Sequence, residues 1–174
     1  MAIGSYQTNC YFVYREDSKR AVVIDPADNG AQIYSALERN GFTVEAILLT
    51  HGHFDHFAAV QEYLDEYSGA VFAAPAGETY LLHGGRDNKW MALNDGASGI
   101  CPEAKLLLRE GDTVTLGETV LRVIETPGHT EGGICFATDR EIFTGDTLFH
   151  GTVGRTDFPG GDMKILMRSL LRLA

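Results

Sequence analysis

"LTHGHFDHF", residues 49–57, places His51, His53, Asp55 and His56 within six positions of a 174-residue chain that has six histidines in all. The run leading into it, "EAILLT" at 45–50, is continuously apolar, as in a strand buried on both faces. The cluster therefore stands just past the end of a central strand. If the segment stays extended, alternate side chains share a side, so His51, His53 and Asp55 face one way and His56 the other. Imidazole nitrogen and carboxylate oxygen suit zinc, iron or manganese. One short loop can thus serve two neighbouring ions.

Outward from this loop the pattern alternates between strand and helix. "CYFVYR" and "AVVID" around the charged turn "EDSKR" read as a β-hairpin over 10–15 and 21–25. "AQIYSALERNG" has helical spacing and Gly41 as its C-cap. "FAAVQEYLDEYSG" spaces Phe57, Val60, Leu64 and Tyr67 for one face of a helix ending at Gly69. "ETYLLHGG" suggests a short helix, and "GRDNKWMALNDGASGICP" has no usable period and reads as a long loop. From Lys105 the chain reads as strands: "KLLL", "TVTL", "TVLRVIET", "GICFAT" and "EIFTG". "MKILMRSLLRLA" closes it as a helix. His129, in "ETPGHTEGG", and Asp146, in "EIFTGDTLF", both fall at strand ends, whereas His83 and His150 read as exposed histidines.

Composition narrows the partners. The length suits one domain, residues 1–174. With 14 Lys plus Arg against 24 Asp plus Glu, the net charge of -10 argues against nucleic acid and anionic membranes. No apolar run approaches the ~20 residues of a bilayer span, and no signal peptide is evident. Cys10, Cys101 and Cys135 form no CxxC pair, which fits free thiols and a cytoplasmic location.

The motifs "TNCYFV" (8–13), "VIDPA" (23–27), "THGHFDH" (50–56), "TPGHTEGG" (126–133), "FTGDTLF" (143–149) and "VGRTDFPGGD" (153–162) span nearly the whole chain in order. Together they resemble the metallo-β-lactamase superfamily, and within it the glyoxalase II-like, hydroxyacylglutathione hydrolase-like branch. The resemblance implies an α/β (α+β) fold, an αββα sandwich with metals at one edge. It also implies a zinc site on His51, His53 and His129 and a second on Asp55 and His56, bridged by Asp146, with Fe or Mn as other occupants. The family's last histidine, on a loop after a further strand, has no counterpart before Ala174. The resemblance thus implies a C-terminally incomplete domain with a weakened second site, lowered activity and self-association through an uncovered sheet edge.

Two divalent ions about 3.5–4 Å apart can share a water and deliver it to a carbonyl as metal-bound hydroxide, with Asp55 orienting it. A thioester such as S-D-lactoylglutathione suits this equipment, because a thiol leaves without a general acid. Two rivals stand beside it. A persulfide dioxygenase-like enzyme would use one iron on His51, His129 and Asp146, and an incomplete domain would bind metal without turnover. For a small anionic thioester, Arg86 and Lys89, with Trp90 beside them, and Arg155 are the candidate contacts. The first three read equally as a solvated charged loop.

Overall fold

The computed structural model describes residues 1–94 and 99–174, and the side chains of Gln32, Trp90, Met91 and Asn94 are outside that description. The chain opens with a small antiparallel hairpin, Ala2–Ile3 (β1) with Thr8–Asn9 (β2). A five-stranded sheet follows: Tyr11–Arg15 (β3), Arg20–Ile24 (β4), Thr43–Leu48 (β5), Val71–Pro75 (β6) and Leu106–Leu108 (β7), in that order. β3 and β4 pair antiparallel, and β4 to β7 run parallel. Thr113–Leu116 (β8), Thr119–Glu125 (β9), Ile134–Ala137 (β10) and Ile142–Phe143 (β11) make an antiparallel four-stranded sheet, and Leu148–Phe149 (β12) pairs with Thr152–Val153 (β13).

The continuous apolar runs have a simple cause. In β5, Val44 and Ile47, with Leu49 just beyond, join the core beneath the helices, while Ala46 and Leu48 join the core between the two sheets. β4 divides the same way, Val23 toward the helices and Val22 and Ile24 toward β8 to β10. A strand buried on both faces has no solvent side to mark with polar residues. Helices Gly30–Arg39 (α1), Phe54–Phe57 (α2), Val60–Glu66 (α3), Thr79–Leu82 (α4) and Arg86–Asn94 (α5) surround the first sheet's outer core. Met163–Leu173 (α6) packs on the end of β9, with Leu166 buried against Gly128 and the Ser169 hydroxyl donating to Pro127 O at 2.7 Å.

Three expectations change. The helix expected from Phe57 to Gly69 is only Val60–Glu66 (α3); Phe57 instead closes the separate turn α2, and between the two Ala59 N donates to Ala27 O at 2.8 Å. The loop expected over 85–102 contains α5, whose buried positions include Asn88 and Ala92, so no apolar period betrayed it. Asp146 stands three residues beyond the two-residue β11, in a turn.

Candidate metal centre

Leu49 leads from β5 to Thr50 and His51, and His53 stands at the N-cap of α2 with an extended backbone, φ -72° and ψ 144°. The helical turn that begins at Phe54 breaks the expected alternation. Asp55 does not share a side with His51 and His53 but lies beside His56, with Oδ2 3.7 Å from His56 Nε2.

Three imidazole nitrogens converge from two loops. His53 Nδ1 is 3.1 Å from His51 Nε2 and 3.0 Å from His129 Nε2. All three residues are buried. On the flank, Asp146 places Oδ1 3.3 Å from His56 Nε2 and Oδ2 3.5 Å from His129 Nε2. The structure therefore brings together all six residues singled out in the sequence, as two overlapping groups: His51, His53 and His129, and His51, His56 and Asp146 with Asp55 alongside.

The surrounding bonds assign the tautomers. His129 Nδ1 donates to Arg155 O at 2.7 Å, leaving Nε2 as a lone pair aimed at the cluster. Thr50 Oγ1 gives its proton to Asp25 Oδ2 at 2.7 Å and stands 3.1 Å from His51 Nδ1, which sets His51 the same way. Two inward lone pairs thus meet His53 Nδ1 at near-contact distance, an arrangement that one proton cannot satisfy and a cation can. Zn–N distances of about 2.0–2.1 Å separate tetrahedral ligand nitrogens by about 3.3–3.4 Å, close to the spacing seen. The donor set fits a divalent metal.

Electrostatics divides the histidines. Burial, reinforced by His56, His53 and His129, drives His51 well below the usual imidazole range, and burial with His129 and His56 takes His53 down to about 3. Burial opposes charge on His56 too, yet Asp25, Asp146 and Asp55 together hold it well above that range. Burial pushes the Asp146 carboxyl up, but His56, His129 and His53 outweigh it and bring it down.

Two residues without a predicted role belong to the centre. Asp25, fully buried just after β4, adopts a left-handed φ of 49°. It accepts from Thr50 N at 2.8 Å and stands 3.0 Å from His56 Nδ1, though too bent for a well-formed hydrogen bond. Thr8, at the end of the first hairpin, donates to Asp55 Oδ2 at 2.6 Å. Both lie within motifs that carried the resemblance, but only the fold shows what they touch.

The candidate substrate cations fare differently. Arg155 is bound by Asp157 through two 2.7 Å hydrogen bonds and stacks over Phe158 at 3.9 Å, and Phe158 in turn meets the His53 ring. Its charge is already paired at the rim. Arg86 and Lys89 are exposed on α5, and among the described residues neither has a hydrogen bond or ion pair to the cluster. The Trp90 side chain lies outside the described residues. His83 and His150 are exposed, as expected.

Known proteins share this arrangement of sequence. The model of the metallo-beta-lactamase superfamily matches residues 3–174. The chain is 30% identical over 172 residues to the probable metallo-hydrolase YqgX of Bacillus subtilis, covering 98% of this chain and 80% of that protein. It is 28% identical to the hydroxyacylglutathione hydrolase GloC of Haemophilus influenzae, covering 97% and 79%. Among solved structures, the BLEG-1 B3 metallo-beta-lactamase superposes with a TM-score of 0.87 at 33% identity, covering 98% and 81%. TTHA1623 in a di-iron-bound form gives 0.83 at 32%, covering 99% and 84%.

Proposed function

The chain belongs to the metallo-beta-lactamase superfamily, and from that premise we propose that it is a metal-dependent hydrolase of acyl thioesters, with a hydroxyacyl-glutathione-type substrate as first candidate. The observation that carries this reading is the convergence of His51 Nε2, His53 Nδ1 and His129 Nε2 beside Asp146 and His56. His51, His53 and His129 would hold one ion, Asp55 and His56 a second, and Asp146 would lie between them. Divalent ions in these positions supply Lewis acidity and lower the pKa of water toward about 7.

The chain's own part is placement. Thr50 and Arg155 O set the tautomers of His51 and His129, Asp25 backs His56, and Thr8 holds the Asp55 carboxylate that would orient an attacking water. Glu78, the buried carboxyl beside the ligand loops, accepts from the main-chain amides of Gly52 and Gly132 and so is not placed to protonate a leaving group. A thiol with a pKa near ~8.5 leaves as thiolate unaided, whereas an amide nitrogen must be protonated. That difference favours the thioester, and the relative named as a hydroxyacylglutathione hydrolase points to its class. Purified protein loaded with Zn²⁺ or Fe²⁺ should release thiol from a panel of acyl thioesters; no release above buffer with either metal overturns the proposal.

A second reading, oxidation of a persulfide by dioxygen at a single iron to give thiol and sulfite, is favoured by the closeness of Asp146 Oδ2 to His129 Nε2, 3.5 Å. With His51 these offer two imidazoles and a carboxylate, a set suited to non-haem iron. Iron content with sulfite formation from glutathione persulfide, against zinc content with thiol release, separates the two readings.

A further inference from the structure

Among the described side chains of residues 76–92 none joins the metal cluster, yet two that are buried and polar bond to the main chain of the ligand loops. Glu78, 2% exposed, accepts from Gly52 N through Oε2 at 2.9 Å and from Gly132 N through Oε1 at 2.7 Å. Gly52 lies between His51 and His53, and Gly132 lies three residues after His129, so one carboxylate ties the two loops together. Asn88, fully buried on α5, accepts from Phe54 N through Oδ1 at 2.8 Å. Its Nδ2 donates to Gly52 O at 2.6 Å and to Leu81 O at 2.7 Å. Both main-chain polar groups of Gly52 and the amide of Phe54 are therefore held from outside the loop.

The approach is close enough to require glycine. A Cβ on Gly52 would stand 2.8 Å from both Glu78 Oε2 and Leu81 Cβ, and one on Gly132 would stand 2.3 Å from the carbonyl carbon of Gly77. Burying a carboxylate and an amide is costly unless each finds partners, and here each finds them on the segments that carry the histidines. No ligand nitrogen is touched, which separates this clamp from Asp25, Thr50 and Arg155.

We propose that Glu78 and Asn88 are positioning residues that hold the His51–Phe54 and His129–Gly132 loops in ligating geometry before any ion arrives, so that binding an ion costs little ordering. This rests on the metal-centre reading above. Loops ordered in advance spend less of the binding free energy on their own immobilisation.

The test is Co²⁺ binding by the full chain and by the Glu78→Gln and Asn88→Asp variants, with affinity from chelator competition, the visible spectrum of the bound ion, and melting of the metal-free proteins. Both variants should still melt cooperatively without metal, bind Co²⁺ about 10- to 100-fold more weakly, and shift its absorption bands. In the metal-free wild-type chain the Gly52 amide should already resist hydrogen exchange, a readout that stands even if a variant fails to fold. Folded variants with wild-type affinity and spectrum, or a Gly52 amide exchanging like an exposed loop, overturn the proposal alone. A wild-type chain that binds no Co²⁺ overturns it together with the metal-centre reading.

Discussion

At the residue scale, Thr8 isolates the contribution of a single hydroxyl. Its bond to Asp55 Oδ2 is 2.6 Å long, and valine has nearly the same shape without the donor. Thr8→Val should fold normally and weaken by about tenfold an ion held through Asp55 and His56; chelator competition distinguishes this from unchanged binding at His51, His53 and His129. The cysteines behave oppositely, through burial. Cys10 is pushed up to about 12 by burial and the nearby Asp25, Cys101 to about 12 by burial alone, and Cys135 is also raised by burial. At pH 8 all three should therefore be thiols, labelling slowly with a disulfide reagent in the native protein and rapidly once it is denatured. Equal rates in the two states would show that the thiols are accessible.

At the element scale, α6 and the His129 loop depend on one another. Asp162 caps the helix, accepting from Lys164 N at 2.7 Å and Ile165 N at 3.0 Å, while its own amide donates to Gly128 O at 2.8 Å. Gly128 sits at φ 131°, and a Cβ there would stand 2.3 Å from Leu166 N. Asp162→Ala should cost about 1 kcal/mol in urea unfolding. Gly128→Ala adds steric overlap to a backbone conformation that favours glycine, and should cost about 3 kcal/mol or more. It should also displace His129, lowering metal affinity, whereas Asp162→Ala should leave affinity nearly unchanged.

At the scale of the whole molecule, metal and protons act as ligands of the fold. An ion bound by His51, His53 and His129 bridges the end of β5 to the loop after β9, so binding is linked to global stability. At free metal 1,000 times Kd the gain is about 4 kcal/mol. Melting should therefore fall on chelation and recover on adding metal back; a transition indifferent to both would show that the histidines do not hold an ion in the folded chain. The buried thiols make the fold sensitive to alkaline pH. Their folded pKa values lie above the ordinary 9.0, so the stability they contribute is complete below about pH 9 and is lost as pH rises toward about 12. Among the described residues no helix is long and apolar enough to cross a membrane.

Local pattern determined a good deal of this protein. The alternation of apolar runs and turns located the hairpin of β3 and β4, the buried β5 and the strands from Leu106 on, because buried strands leave apolar runs bounded by turns. The histidine spacing and the motifs around His129 and Asp146 named the six residues that meet at the centre. Tertiary structure decided the rest. Whether Asp55 faces His53 or His56 depends on a helical turn whose partners, Asn88 among them, lie 34 residues away. The charge of Arg155 is paired by Asp157 two residues on, a contact set by side-chain geometry. Glu78, Asn88, Asp25 and Thr8 touch the centre through main-chain groups and oxygens that leave no periodicity in the chain. Hydrogen bonds between distant segments depend on where a fold brings them, and composition along the chain carries no record of that.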